Sequence, residues 1–281
     1  VRQKRSHRKQ PFPRRIVNSP SLPAVNFSIV TPSLNQGRFI RDCIESVRSQ
    51  TGMTYEHIVI DAGSTDETLA ILKEYPHLNW VSEPDQGMSD GINKGFRKAT
   101  GDWVMWLNAD DYLLPSALAR VANHAKENST GDIVYGECVF VDEAKNVLRR
   151  KRDHRFDFNI LLFYGCYIQS TATFLKREIL SAGHLLDLRY RNCMDFEYYL
   201  RLSHLGFRFS YLPETLAAFR WHPTNASTQF AERRHQERLE IQRRQLELLH
   251  RSWLSSSFAL SALKRVYQAK RFALRALTRH R

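Results

Sequence analysis

One ten-residue stretch constrains the fold more than any other: Trp103-Val-Met-Trp-Leu-Asn-Ala-Asp-Asp-Tyr112. Its first five residues are apolar in succession. Such a run suits a strand buried on both faces, which belongs in a mostly parallel sheet covered by helices. The run then breaks onto Asn108, Asp110 and Asp111. Adjacent carboxylates at a strand end repel each other, and a cation relieves that repulsion. Oxygen donors of this kind suit Mg²⁺ or Mn²⁺, which complete their shells with water and a substrate's phosphates. Open α/β sheets bind ligands beyond the carboxyl ends of their strands, so the stretch points to a nucleotide diphosphate there. A second reading stands beside it: a solvated acidic turn capping a helix that starts near Pro115, as Asp does at many turns and helix starts.

The flanking sequence repeats the strand-to-helix switch. Strand-like runs lie at Phe27–Ser33, His57–Asp61 and Leu78–Ser82, and helical spacing at Arg38–Gln50, Glu67–Tyr75 and Ile92–Ala99. This alternation predicts βαβ units: an α/β chain with a Rossmann-like, mostly parallel sheet and helices on both faces. Neither G-x-G-x-x-G nor G-x-x-x-x-G-K-[ST] occurs, which argues against a dinucleotide fingerprint and a P-loop. After a helix over Pro115–Lys126 the pattern changes. Asp132–Val141 and Asn146–Lys151 read as strands joined by a turn, Phe156–Phe163 as a short helix, Ser170–Leu175 as a strand and Met194–Leu205 as a helix. Arg208–Leu212 and Leu216–His222 read as two closing strands. The expected divisions are a basic tail over residues 1–22, a nucleotide-binding half over 23–128, an acceptor and catalytic half over 129–228, and a helical basic extension over 229–281.

Charge narrows the partners. The net charge is +13, yet Val1–Arg15 carries seven basic residues and Arg251–Arg281 eight, with no acidic residue in either. The body between them is close to −2, so it is not a nucleic-acid binder; only the ends are basic. In the last segment Leu260, Leu263, Val266, Tyr267, Leu274 and Leu277 share one face of a helical wheel, opposite Lys264, Arg265, Arg271, Arg275 and Arg279. That is the pattern of a helix lying on an anionic membrane surface or docked on a partner. No apolar run approaches the ~20 residues of a membrane span, and Val1-Arg-Gln-Lys-Arg5 lacks the apolar middle of a secretory signal. The four dispersed cysteines, without a C-x-x-C pair, fit reduced thiols. Together these predict a cytoplasmic protein, peripheral on the inner face of a membrane.

Four ordered motifs now carry a resemblance: Ser28-Ile-Val-Thr-Pro-Ser-Leu-Asn35, Val59-Ile-Asp-Ala-Gly-Ser-Thr-Asp-Glu-Thr68, Asp85-Gln-Gly-Met-Ser-Asp-Gly-Ile-Asn-Lys-Gly95 and Leu107-Asn-Ala-Asp-Asp-Tyr112. Over about Phe27–Thr228 the chain resembles the inverting family 2 glycosyltransferases of the GT-A fold, of bacterial surface-polysaccharide type. The resemblance implies that Thr31, Pro32, Ser33 and Asn35 line the nucleotide pocket. It implies that Asp61 accepts a hydrogen bond from the base, with Ser64 and Asp66 shaping the loop. Asp90, Asn93 and Lys94 fall where the family contacts ribose, diphosphate or sugar. The metal motif departs from the usual D-x-D, because Asn108 takes its first position. Asn108 and Ala109 are then nucleotide contacts, and Asp110, followed by Asp111, is the expected ligand of Mn²⁺ or Mg²⁺.

In the second half, Arg191-Asn-Cys-Met-Asp-Phe-Glu-Tyr-Tyr-Leu-Arg201 resembles the family's E-D-x-x-x-x-x-R segment, with Met194 in place of the Glu. Asp195 aligns with the catalytic base, Glu197 is the fallback, and Arg201 is expected to orient or screen the carboxylates. Arg220-Trp-His222 resembles an R-x-H element whose His222 contacts metal or diphosphate. Gln169 and Ser170 are expected on the acceptor side. The implied activity is transfer from a nucleotide-diphosphate sugar to the hydroxyl of a glycan or lipid-linked acceptor. Two other classes compete: a catalytically inactive nucleotide–sugar-binding module at a membrane surface, and a nucleotidyltransferase. The glycine- and lysine-rich first loop expected of the last is absent.

Overall fold

The computed structural model describes residues 26–225 and 231–277. The expected tail over residues 1–22 lies outside them. Strands β1 (Asn26–Ser33), β2 (Thr54–Asp61), β3 (Asn79–Ser82) and β4 (Trp103–Trp106) alternate with helices α1 (Gly37–Arg48), α2 (Thr68–Lys73) and α3 (Met88–Lys98). There follow β5 (Tyr112–Leu113), α4 (Ala117–Glu127), β6 (Ile133–Val141), β7 (Val147–Lys151), a π-helical turn over Ile160–Tyr164, a 3₁₀ turn over Ser170–Ala172, β8 (Thr173–Lys176), α5 (Arg177–Ser181), α6 (Met194–His204) and β9 (Phe209–Arg220). Helices α7 (Ala231–Leu248) and α8 (Ser257–Leu277) close the described chain.

The strands form one sheet in the order β3-β2-β1-β4-β8-β6-β9-β5, with β7 beside β6. Its first four strands are parallel, β8 runs antiparallel to both neighbours, and β6 and β9 are parallel. The sheet therefore continues across Ser129–Gly131. The two closing strands expected from the sequence are one strand, β9, whose pairing with β6 shifts register near Glu137. Two-residue β5, which pairs with β9, has too short a signal to read.

Period-2 alternation sorts β1 between two cores. Phe27 and Ile29 face Cys43, Val47 and α4, whereas Val30 faces Ile92 and Phe96 of α3. Helix α3 lies so close to β1 that a Cβ on Gly95 would stand 2.2 Å from Val30 Cγ1; only glycine fits there. The parallel register pairs Ser33 with Asp61 and Asp61 with Ser82. Leu107 continues from β4 by donating to the Val30 carbonyl at 2.9 Å. The carboxyl ends of β1, β2 and β4 thus meet at one edge, where Asn108–Asp111 turns away.

The C-terminal extension is helical, as expected, but its wheel must be turned. Leu260 is buried, and Leu263, Tyr267 and Leu274 pack against the main core; Tyr267 stacks on Phe163 at 5.1 Å. Arg271, expected on the solvent face, is buried and pairs with Asp153 at 2.5 Å. The apolar face drawn from the sequence is the one that docks on the protein's own body, except for Val266 and Leu277, which are exposed. Among the described residues no helix is long and apolar enough to cross a membrane, and all four cysteines are free thiols.

Candidate active site

At the carboxyl edge of the sheet lies a cavity of about 370 Å³. Pro32, Ser33, Asn108, Ala109, Asp110, Ser170, Asp195 and His222 line it, so eight residues singled out in the sequence meet at one place. They come from the ends of β1 and β4, the turn before β8, the start of α6 and the segment after β9. The other expected residues do not reach the cavity wall, and their contacts say why.

On the nucleotide side, Thr31 points to the opposite face of β1 from Pro32, where its hydroxyl meets His57 Nε2 at 2.9 Å. Asp61 is fully buried. It accepts from Gly63 N, Ser64 N, Ser64 Oγ and Ser82 Oγ at 2.5–3.1 Å. A carboxylate has about four acceptor sites, so these bonds saturate it and close the β2–α2 loop. Ser64 Oγ also accepts from Asn35 N at 2.7 Å, and Asn35 Oδ1 accepts from Thr65 N at 2.9 Å. Asn35 itself has φ +52°, a left-handed conformation that asparagine tolerates better than most residues. Asp66 accepts from Gly37 N and Thr68 N. Burial works to raise the Asp66 carboxyl, but these bonds outweigh it and hold it below its ordinary value. Asn35, Ser64 and Asp66 thus lock two loops together behind Ser33.

The α3 residues act similarly. Asn93 exchanges two 2.9 Å hydrogen bonds with the backbone of Leu186. Asp90 accepts from Gln86 N. Lys94 donates to the Pro84 carbonyl and pairs with Glu83, both at 2.9 Å. It is the N-terminal end of α3, at Gly87 and Met88, that borders the cavity; helix N-termini favour anions.

The acidic turn divides its two carboxylates. Asp111 points inward and accepts from Thr171 Oγ1 at 2.5 Å, Arg220 N at 2.9 Å and Asn108 Nδ2 at 3.3 Å. Burial, and then the neighbouring Asp110 charge, push its carboxyl well above the usual range. Asp110 faces the cavity, where its Oδ2 accepts from His222 Nε2 at 3.0 Å and Asn225 Nδ2 at 3.2 Å. Arg220 braces the turn. It is 2% exposed and donates to the carbonyls of Asp110 and Glu143 and to Asp42 Oδ2, with Phe39 and Tyr112 beneath its guanidinium. Removing one partner of a buried charged network leaves others unsatisfied, so Arg220→Met is expected to cost about 3–5 kcal/mol. Thermal or denaturant unfolding reads this out; a loss under about 1 kcal/mol would show that Arg220 carries little of the turn's stability.

On the other wall, Asp195 begins α6. Its Oδ1 accepts from its neighbour Phe196 N at 2.7 Å. Burial raises its carboxyl above the ordinary value, with the Phe196 amide and the Cys166 thiol opposing. Glu197 and Arg201 take no part in the cavity. They form a two-bond pair at 2.8 and 3.1 Å, and Arg201 also donates to the Leu185 carbonyl at 2.7 Å. The reason is helical: six residues rotate a side chain by about 240°, which carries Arg201 to the far side of α6 from Asp195. Gln169 contributes its carbonyl to Ala172 N and Thr173 Oγ1, leaving Ser170 as the wall residue of that pair.

Arg191, Thr224 and Asn225 also line the wall and were given no role from the sequence. Arg191 is the only Lys or Arg among the described residues of the wall; it opens the segment read for Asp195 and Arg201. Thr224 and Asn225 follow His222 closely enough to be read as R-x-H-x-T-N.

A divalent ion can be tested against these donors. Among the described residues no group of three or more His, Cys, Asp and Glu converges to hold one. Asp110 and His222 do converge, and Asn108 Oδ1, on the same wall, is buried without a hydrogen-bond partner. One carboxylate and one imidazole, with an amide oxygen nearby, fit an ion that draws its other ligands from water and a substrate diphosphate. Three carboxylates line this wall, Asp85, Asp110 and Asp195, a setting that disfavours a bare diphosphate and favours its metal complex.

Residues 28–183, more than half of the chain, match the family described as Glycosyl transferase family 2. A PGL/p-HBAD biosynthesis glycosyltransferase of Mycobacterium bovis is 35% identical over 185 residues, covering 62% of this chain and 68% of that protein. The chondroitin synthase of Escherichia coli is 27% identical over 184 residues, covering 64% of this chain but 26% of that larger protein. Among solved structures, S. aureus TarS with UDP-GlcNAc aligns at a TM-score of 0.66 and 16% identity, over 89% of this chain and 73% of that one. The mannosyltransferase PcManGT from Pyrobaculum calidifontis, with GDP-Man and Mn²⁺, aligns at 0.60 and 19%, over 88% and 75%. The sheet is thus of the GT-A type, and the chain belongs to glycosyltransferase family 2.

Proposed function

We propose that the protein is an inverting, metal-dependent glycosyltransferase that moves a sugar from a nucleotide diphosphate to an acceptor hydroxyl on a glycan or lipid-linked saccharide. The observation that carries this reading is that Asp110 and Asp195, from opposite halves of the sequence, open into the same cavity. Asp110 and His222 would hold Mn²⁺ or Mg²⁺, and the bound ion supplies charge stabilisation to the departing diphosphate. Arg191 and the N-terminus of α3 add positive potential for the same anion. Ser33, whose buried hydroxyl has no partner, offers the donor a hydrogen bond beside Pro32.

The acceptor hydroxyl enters between Ser170 and Asp195. As its oxygen attacks the anomeric carbon, its proton passes to an Asp195 carboxylate oxygen, and the bond from that carbon to the diphosphate breaks. Burial raises the affinity of Asp195 for a proton, which strengthens it as a base. Attack from the face opposite the leaving group inverts the centre, so an α-linked donor gives a β-linked product. Attachment to the inner face of a membrane, with the protein otherwise cytoplasmic, brings the site to a lipid-linked acceptor.

Incubation with candidate sugar nucleotides and Mn²⁺, followed by NMR, tests the reaction. Release of the nucleoside diphosphate with a β-configured product is expected from an α donor. A product that keeps the donor's configuration contradicts inversion. Binding without transfer or hydrolysis favours a module that holds sugar nucleotides without acting on them.

A further inference from the structure

The five most exposed large hydrophobic side chains on the described residues all belong to the C-terminal segment: Phe258 at 86%, Trp253 at 78%, Phe272 at 76%, Leu277 at 68% and Val266 at 61%. On α8, Phe258, Val266 and Phe272 share the side turned away from the body with Ala262, Ala269, Ala273 and Ala276, all exposed. The opposite side, through Leu260, Leu263, Tyr267 and Leu274, is committed to the core. The helix therefore has two apolar faces, and among the described residues one has no cover. A contiguous aromatic and aliphatic face of this kind marks a binding surface.

Charge decides among occupants. From Arg251 to Leu277 there is no acidic residue. Arg265 stands within the exposed face, and Lys264 and Lys270 lie toward its borders. Lys264 is held below its ordinary value, first by the neighbouring Arg238 charge and then by burial, whereas Lys270 pairs with Asp157 at 2.5 Å; the helix itself supplies no acid to Arg265. A second copy packed face to face about a twofold axis would set Arg265 and its basic neighbours against themselves. Aromatic and aliphatic side chains on one face of a helix, with cations and no acid, suit the boundary of an anionic bilayer.

We infer that Trp253, Phe258, Val266 and Phe272 form a docking face that inserts into the headgroup boundary of an anionic lipid bilayer, with α8 lying in the membrane plane. This deepens the membrane attachment proposed above by naming its surface, and it does not depend on the transfer chemistry. Helix α8 packs across Ile160–Tyr164, the segment that leads into Ser170 at the cavity. The bilayer would thus be coupled to the acceptor wall.

Sedimentation of the full chain with phosphatidylglycerol–phosphatidylcholine vesicles, and with phosphatidylcholine alone, tests the inference at physiological salt. Phe258→Ser/Phe272→Ser changes no charge, so attraction from the basic ends is kept, and both side chains are too exposed for the change to unfold the protein. Binding to the anionic vesicles is expected, with a loss of about tenfold or more in the variant at unchanged melting temperature. Wild-type binding that survives the substitutions overturns the docking face while leaving membrane attachment intact. No binding to the anionic vesicles overturns the face and the attachment together, and equal binding to both kinds overturns the anionic bilayer as its occupant. A concentration-dependent dimer abolished by the substitutions, without lipid binding, overturns it in favour of a second copy. Nucleotide binding by the same samples reports separately on the transferase reading.

Discussion

Asp195→Asn is expected to lower turnover by about 10²–10⁴-fold, the usual contribution of a positioned general base, while leaving donor affinity within about twofold of the parent. The amide keeps the size and the Oδ1 acceptor for Phe196 N but cannot take the acceptor's proton. The pH profile gives an independent readout. Because burial raises the Asp195 carboxyl, the active, ionised form is lost at a higher pH than for an ordinary aspartate. The acid limb of kcat/KM should therefore lie above that of an ordinary aspartate, with activity falling as pH drops through it. That limb should vanish from the residual activity of the variant. Near-normal turnover in Asp195→Asn would remove it as the base. Glu197 would not be the natural replacement, because both of its oxygens are engaged by Arg201.

Asp110→Asn is expected to weaken metal-dependent nucleotide binding by about 100-fold or more, since losing even the partner of a metal ligand costs 10–100-fold. The change keeps the backbone carbonyl that Arg220 grips, so the turn should survive and the melting temperature should move little. The inner carboxylate behaves differently. Asp111 is held by Thr171, Arg220 and Asn108, and its replacement should show first as lost stability. Unchanged nucleotide affinity in Asp110→Asn, with Mn²⁺ present, would take Asp110 out of the metal site.

The first half of the fold was legible because its strands are buried on both faces and its helices have clear periods. The run from Trp103 to Leu107 and the alternation of Phe27 to Lys98 dictate a parallel sheet with a shared carboxyl edge. The second half was less so. Strand β9 read as two because Pro213 and Glu214 interrupt its apolar pattern, and only pairing with β6 shows the chain running through. The C-terminal helix shows a deeper limit. A wheel reveals that a face is apolar but not what covers it, and here Arg271 is buried because Asp153 waits on β7's continuation.

The site divides along the same line. Residues whose chemistry is set by position on a strand end, such as Ser33, Asn108 and Asp110, were readable from sequence. Other expected residues turn elsewhere: Asp61 at the end of β2, Ser64 in the loop after it, and Asn93 and Lys94 on α3 spend their polar atoms on neighbouring segments. Nothing in a linear motif distinguishes a side chain that faces a ligand from one that faces its own loop. Arg201 belongs to the helix that presents Asp195 but to its other side, where the carboxylate it holds is that of Glu197.

The most direct test of the central claim is calorimetric titration of UDP, dTDP and GDP into the protein, each with Mn²⁺ and with excess chelator. The account predicts that one of them binds with the metal and loses most of its affinity when the metal is chelated. Binding that is indifferent to chelation would contradict the role given to Asp110 and His222, and no binding under either condition would contradict the nucleotide site itself.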